Sequence, residues 1–171
     1  IAVYPEVDSQ AQKNYWQIIQ KQQQILKAWS QTCPSTFQHK YDLVAAELAR
    51  LNDNTIEAME RYEQAIAGAK DNDFTQEEAL ANELAAKFYI NIGKNKVAAV
   101  YMQDAYYCYA RWGAKAKIDQ LATAYPHLLI PILHKSFSDG SFRESADKHS
   151  FSNGLSTNIS TTTNTTVIDM V

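Results

Sequence analysis

The sequence predicts an all-α protein, built as an antiparallel helical repeat of about six helices and followed by a disordered tail. Composition favours helix, since Ala, Gln, Glu, Leu and Lys are abundant through the first three quarters of the chain. Gly and Pro, which interrupt helices, number only five and four among 171 residues. Apolar residues also recur at helical spacing until about Leu128. One domain with a sizeable core is therefore expected.

The first two helices are predicted from apolar periodicity and from the residues that flank them. The first runs over about residues 8–29, and Asp8 or Ser9 can accept hydrogen bonds from its free N-terminal N–H groups. Pro34 then breaks the chain, because the residue before a proline is pushed out of the helical conformation. The second helix follows over about residues 35–51.

Capping-box sequences mark the starts of the third and fourth helices. Asn54 and Glu57, three residues apart, come close to such a box, and the third helix is predicted to reach about Asp71. Thr75 and Glu78 form a full box, in which two side chains satisfy free backbone N–H groups reciprocally. We expect the fourth helix to begin there.

Glycine and proline mark the ends of the last predicted helices. Gly93 ends the fourth helix, since glycine tolerates the left-handed conformation of a C-cap, and Gly113 ends a fifth helix, α5, over about residues 95–112. A short sixth helix is expected over residues 114–125, before Pro126. Because every connection is short, consecutive helices should lie antiparallel.

A change of composition divides the chain into two parts. Residues 1–127 are predicted as the helical-repeat domain. Residues 128–171 are rich in Ser, Thr, Asn and Gly and have little apolar pattern. Such a stretch cannot bury enough surface to offset the entropy of ordering it, which predicts a flexible linker. The apolar residues from Val167 onward are interpreted as the approach to a following domain.

Small and large residues repeat at a spacing of about 40 residues. The third predicted helix carries Ala58-x-x-x-Tyr62-x-x-Ala65, and the fifth carries Ala98-x-x-x-Met102-x-x-Ala105. A small residue lets the neighbouring helix approach, and a large residue one turn later fills the groove beside it. This indicates a tetratricopeptide-like stack of helix pairs, with a helix lengthened relative to the ideal period of about 34 residues. The alternative is an irregular helical bundle.

An aromatic stretch in the fifth predicted helix is the candidate site. We name it the α5 aromatic surface and define it by Tyr101, Tyr106, Tyr109, Arg111 and Trp112. Its width exceeds what one neighbouring helix usually needs. Aromatic residues and Arg anchor protein interfaces, which suggests a groove for a partner peptide or helix. The alternative is that these residues form a thick repeat core.

Charge and composition argue against several classes of partner. The formal net charge is −3, and Lys and Arg form no stripe, so nucleic acid is not an expected partner. No apolar run approaches the roughly 20 residues that span a bilayer. The two cysteines are too few for a disulfide scaffold, which favours a reducing cytoplasm.

No catalytic, cofactor-binding or metal-binding residue is predicted. Gly-rich phosphate loops and kinase motifs are absent, and the four histidines are isolated from other metal ligands. Glu77, Glu78 and Glu83 could suggest acid–base chemistry, but a capping box and a solvated helix face explain them better. No enzyme activity is therefore expected within this segment.

An ordered series of short strings carries a family resemblance. The strings are ALANELAAKFY at 79–89, GK at 93–94, AYYCYARWGAKAK at 105–117 and YPHLL at 125–129, preceded by HKY at 39–41 and ELAR at 47–50. Together they resemble the helical region of the very large multi-sensor signal transduction kinases typical of cyanobacteria. In that family a serine/threonine kinase domain and an ATPase-like module precede this region, and a GAF sensor domain and a histidine kinase follow it.

The resemblance implies a cytoplasmic parent kinase that uses ATP and places the linker of residues 128–171 before a GAF-like domain. This chain would then be a non-catalytic segment that couples input and output domains, with neighbouring domains or a peptide as partners. Two alternatives stay open. The chain could contribute to an enzyme site that forms only with flanking domains, or it could be a free-standing scaffold or structural spacer.

Overall fold

The structure is a computed structural model that describes residues 8–138. Within this range the chain is all-α, with seven helices and no strand. The helices are α1 (Ser9–Thr32), α2 (Pro34–Leu51), α3 (Thr55–Asp71), α4 (Thr75–Asn91), α5 (Asn95–Trp112), α6 (Lys115–Ala124) and α7 (Pro126–Ser138). The first six lie close to the predicted positions.

Helix α7 was not predicted and corrects the expected domain boundary. It covers residues 128–138, which the composition had assigned to the linker. Pro126 is its first residue, where a proline loses no intrahelical hydrogen bond. Leu128, Leu129 and Ile132 are buried in the core, so the helical part extends beyond residue 127. The remainder of the predicted tail, residues 139–171, lies outside the described residues.

The turns that separate α2 to α6 recur at a regular spacing. The residues with positive φ between these helices are Asp53, Asp73, Gly93 and Gly113, twenty residues apart. The residue after each one donates its backbone N–H to a carbonyl five residues earlier, from Asn54 to Ala49 at 2.9 Å through to Ala114 to Tyr109 at 2.9 Å. This spacing of the turns accounts for the 40-residue repeat of buried residues, because each helix pair uses two turns.

Consecutive helices run antiparallel, as the order of their contacts shows. Between α2 and α3, Asp42 contacts Arg61 and His39 contacts Gly68. Between α4 and α5, Glu83 contacts Tyr109, whereas the later Tyr89 stacks on the earlier Tyr101. In both pairs the partner's residue number falls as the first helix advances.

The small residues of the repeat let the helices approach closely. Ala58, Ala65, Ala98 and Ala105 are buried, and Tyr62 and Met102 fill the space between them. A Cβ atom added at Gly68 would lie 3.1 Å from Cβ of His39, so the backbones of α2 and α3 come near each other at this point. The large residues add apolar surface to the core that the small alanines alone would not supply.

The predicted N-cap of α1 is confirmed, and the full capping box predicted at α4 is wrong. Asp8 precedes α1 and accepts from the backbone N–H groups of Gln10 and Ala11. At α4 the N-cap is Phe74, one residue before Thr75, and no side chain caps the helix. Packing explains the difference, because the Phe74 ring contacts the His39 ring of α2, with centroids 4.6 Å apart, and an apolar residue therefore occupies the N-cap position.

Candidate functional site: the α5 surface and the ion pairs beneath it

The residues of the α5 aromatic surface occupy three different environments. Tyr109 is buried, Tyr101 and Tyr106 are partly buried, and Arg111 and Trp112 are exposed. A single open groove would need all five side chains on one accessible face. The structure therefore divides the predicted surface into a buried part and an exposed part.

Tyr101 joins three helices. Its ring stacks on Tyr89 of α4, with ring centroids 5.1 Å apart and planes 6° from parallel. Its hydroxyl donates to the Glu63 carboxylate of α3. Offset or parallel aromatic pairs of this kind add to the stability that burial provides. Tyr101 thus links α5 to the helix before α4 as well as to α4 itself.

Tyr109 lies at the centre of a buried ion cluster, so its assignment to an open surface is wrong. Its hydroxyl donates to Oε2 of Glu83, at 2.7 Å. Glu83 is 2% exposed and also binds Nζ of Lys87 at 2.6 Å and Nζ of Lys117 at 2.8 Å. We call these four residues the Glu83 cluster. It connects α4, α5 and α6 through one carboxylate.

Burial and hydrogen bonding act on the Glu83 cluster in opposite directions. Burial raises the pKa of Glu83, but hydrogen bonds from Lys117, Lys87 and Tyr109 outweigh it, and the pKa lies below its usual value. Burial, with the hydrogen bond to Glu83, raises the pKa of Tyr109. The cluster is therefore a carboxylate held ionised by two lysines, with a neutral tyrosine as the third donor.

A second cross-helix ion pair lies under the exposed end of α5. Arg111 donates from a guanidinium nitrogen to the Glu78 carboxylate of α4. Glu78 and Glu83 are both buried, so the interpretation of these acids as a solvated helix face is wrong. Burial also raises the pKa of the adjacent Cys108 thiol to about 11, which keeps it protonated at neutral pH.

The exposed part of the α5 aromatic surface is small. Trp112 is exposed, and its ring centroid lies 6.4 Å from that of Tyr109. Tyr106 is partly buried and meets the exposed Tyr107 edge to face, at 6.2 Å. Tyr107 was not among the predicted residues, although it stands in the same aromatic run. Exposed Tyr, Trp and Arg side chains here are suited to a polar-rimmed contact with another protein surface.

A related cluster lies between α2 and α3, which sequence reasoning also missed. Tyr62 donates its hydroxyl to Oε1 of the buried Glu47, and Arg50 binds the same carboxylate at 2.8 Å. We call these three residues the Glu47 cluster. Nearby, Arg61 of α3 binds the buried Asp42 of α2 at 2.8 Å. A glutamate at a position where the apolar stripe predicts burial was the available signal for both clusters.

Within residues 8–138, no group of three or more His, Cys, Asp or Glu side chains is placed to hold a metal ion. In the same range, no helix combines the length and the apolar character needed to cross a membrane.

Comparison with known proteins connects the chain to signalling kinases. A stretch of 56 residues, 33% of the chain, is 46% identical to hybrid signal transduction histidine kinase G of Dictyostelium discoideum. The match covers 2% of that much longer protein. No family model matches the chain, and no solved structure matches it. The link to signal transduction kinases is thus partial.

Proposed function

We propose that this chain is a non-catalytic helical-repeat segment of a large multi-domain signal transduction kinase, and that it couples the domains on either side of it. The 46% identity over 56 residues to a hybrid signal transduction histidine kinase carries this proposal. The ordered strings that resemble the helical region of multi-sensor kinases lie in well-packed helices of the described range. Kinase chemistry and ATP binding would then belong to the other parts of the parent chain.

The tetratricopeptide-like character of the segment belongs to this proposal. It is supported by turns at 53, 73, 93 and 113 and by buried alanines that repeat at 40 residues. Stacked helix pairs contact mainly their neighbours, so a displacement at one end can pass along the stack. A repeat of this kind suits a segment that joins two domains.

The cross-helix ion pairs support coupling through the stack. Lys117 of α6 and Tyr109 of α5 both bind Glu83 of α4, and Tyr101 of α5 binds Glu63 of α3. Each of these contacts joins different helices through a side chain that is at least partly buried. Coupling between distant sites needs contiguous networks of packed and hydrogen-bonded groups of this kind.

The proposed partners are neighbouring domains of the parent kinase, or a peptide, in the cytoplasm. The exposed Trp112 and Arg111 at the end of α5 are the proposed contact residues, with Tyr106 beside them. No nucleic acid is proposed as a partner, because the net charge is −3.

The test is a matched pair of substitutions in the parent kinase. Lys117→Met removes the α6 contribution to the Glu83 cluster, and Lys115→Met makes the same change at an exposed position of α6. We expect Lys117→Met to change the rate of autophosphorylation while ATP affinity stays the same, and Lys115→Met to change neither. The 171-residue chain alone should transfer no phosphate from radiolabelled ATP.

Two results would contradict the proposal. Phosphotransfer by the chain alone would make it an enzyme. Autophosphorylation that is the same in Lys117→Met, Lys115→Met and the unsubstituted parent would reduce the segment to a structural spacer.

A further inference from the structure

The outer face of α1 is exposed although it carries large apolar side chains. Ile18, Gln22, Ile25 and Trp29 follow one another at spacings of four, three and four residues, which places them on one side of the helix. We call them the α1 outer stripe. Ile18 is 56% exposed and Trp29 is 51% exposed, whereas Ile25 is partly buried. Contiguous apolar surface of this kind usually marks a place where another element binds.

The α1 outer stripe has the same register as the buried stripes of α3 and α5. Forty residues later the equivalent residues of α3 are Ala58, Tyr62, Ala65 and Ala69, and eighty residues later those of α5 are Ala98, Met102, Ala105 and Tyr109. All eight are at most 4% exposed. The exposure of the stripe on α1 is therefore a departure from the pattern that the other two helices share.

In α3 and α5, a helix that comes earlier in the chain covers the stripe. Tyr62 of α3 binds Glu47 of α2, and Tyr109 of α5 binds Glu83 of α4. Both covering helices run antiparallel to the helix they cover. The covering helix is connected to its partner by one of the left-handed turns at Asp53 and Gly93.

Helix α1 already contacts the helix that follows it, through a different face. Gln23 donates to the backbone carbonyl of Tyr41 in α2, at 2.9 Å, and Ser30 is buried on the same side. Ile19 and Leu26, on the same inner face, stand forty residues before Met59 and Ile66 of α3, which are packed against the core. Helix α2 also contacts the outer stripe at Trp29, whose ring centroid lies 5.2 Å from that of Phe37. It leaves Ile18 and Trp29 exposed on the side equivalent to the α2–α3 contact.

We propose that the α1 outer stripe is the docking surface of an antiparallel amphipathic helix, formed by the part of the parent polypeptide that precedes residue 1. This inference rests on the proposed function, which places the chain within a longer kinase. The chemistry of the stripe defines the docked helix. It carries small side chains opposite Ile18, Ile25 and Trp29, since these are larger than the alanines of α3. It carries a hydrogen-bonding group opposite Gln22, as Glu47 faces Tyr62.

Hydroxyl-radical footprinting of the 171-residue chain and of the parent polypeptide tests this inference. We expect Ile18 and Trp29 to be labelled in the chain, and their normalised labelling to fall to the level of the buried Tyr62 in the parent. Ile56 of α3, which is 73% exposed, should stay labelled in both and is the internal control. In the parent, Ile25→Glu should restore the labelling of Ile18 and Trp29, because a buried carboxylate without a partner is costly.

Equal labelling of Ile18 and Trp29 in the chain and in the parent would overturn the inference. So would labelling of the chain alone that falls as its concentration rises, since a second copy would then be the occupant. Footprinting does not depend on phosphotransfer. Protection of the stripe in a parent kinase that is indifferent to Lys117→Met would sustain this inference and contradict the coupling function.

Discussion

The helix pairs α2/α3 and α4/α5 both contain a buried, ion-paired glutamate, but the two ion clusters connect different numbers of helices. Each buries a glutamate that accepts a hydrogen bond from a buried tyrosine of the next helix. In the Glu47 cluster the cation, Arg50, comes from the same helix as the glutamate. In the Glu83 cluster one cation, Lys117, comes from α6, beyond the pair. The first cluster is thus confined to one pair, and the second ties a pair to the next helix.

The difference shows that similar chemistry does not imply an equivalent position. Glu47 and Glu83 are not forty residues apart, so the two clusters do not follow the repeat that governs the alanines. A buried carboxylate is costly unless charges and donors surround it. The donors of the Glu47 cluster all come from α2 and α3. The Glu83 cluster also uses Lys117, which lies outside its helix pair, on α6.

The largest predicted effect is the loss of the Glu83 carboxylate. Glu83→Ala leaves Lys87, Lys117 and Tyr109 without their common acceptor, and we expect the free energy of unfolding to fall by about 2–3 kcal/mol. Glu47→Ala deprives only Arg50 and Tyr62, and should cost about 1–2 kcal/mol. Urea denaturation of both variants measures the difference. An equal or larger loss in Glu47→Ala would contradict the comparison.

Double-mutant cycles measure whether residues of one cluster are energetically coupled to each other and not to residues of the other cluster. Tyr109→Phe and Lys117→Met remove two ligands of one carboxylate, so their effects on the free energy of unfolding should differ from additivity by about 0.5–1 kcal/mol. Tyr62→Phe with Lys117→Met is the control, since these residues belong to different clusters, and their effects should add. Coupling of the same size in both cycles would mean that Lys117 acts on the whole fold.

Acid should weaken the two regions in separate pH ranges. Burial, and then Lys40, lower the pKa of His39 in α2 below 6.5, so the unfolded chain takes up a proton first and stability falls as the pH drops below about 6.5. The lowered pKa of Glu83 gives stability that is present above about pH 4.5 and is lost as the pH falls through its folded-state value.

His39→Gln separates these two contributions, because glutamine does not titrate. We expect the decline of stability that begins below about pH 6.5 to flatten in this variant, while the decline below about pH 4.5 remains. Thermal denaturation at a series of pH values is the measurement. A decline starting below about pH 6.5 that is unchanged in His39→Gln would exclude His39 as its origin.

The smallest predicted effects concern the turns. Gly113 has φ +83°, and Gly113→Ala should cost about 1 kcal/mol because an L side chain is strained there. Asp53 has φ +56°, so Asp53→Gly should be close to neutral, since the relief of strain is offset by the greater freedom of glycine in the unfolded chain. A loss in Asp53→Gly as large as that in Gly113→Ala would mean that the Asp53 side chain makes a contribution of its own.

The positions of the first six helices could be predicted from the sequence because local signals define them. The glycines at 93 and 113 and the periodic alanines act within a few residues, and α5 begins and ends where these signals predicted. Helix α7 was missed although its sequence is apolar, because Pro126 and Pro131 argue against a helix there. Its helical structure is stabilised by Leu128 and Leu129, which pack in the shared core. Whether such a segment forms a helix depends on its contacts with residues that are distant in the sequence.

The candidate site was harder to predict for a similar physical reason. Aromatic residues on α5 indicate a wide apolar surface, but the sequence does not say which of them a neighbouring helix covers. Tyr109 is buried because Glu83, twenty-six residues earlier, receives its hydroxyl, and Trp112 is exposed because it lies at the helix end. Pairings of this kind depend on how helices face each other, which periodicity alone does not determine.

Native-state hydrogen exchange of Glu83→Gln tests most directly whether the Glu83 cluster unites three helices. The substitution keeps the size of the side chain and removes its charge, so the attraction of Lys87 and Lys117 is lost. We predict that the free energy of amide opening falls together in α4, α5 and α6 and stays unchanged in α2. A fall confined to α4, or one spread equally over all helices, would contradict the view that this carboxylate links α4 and α5 to α6.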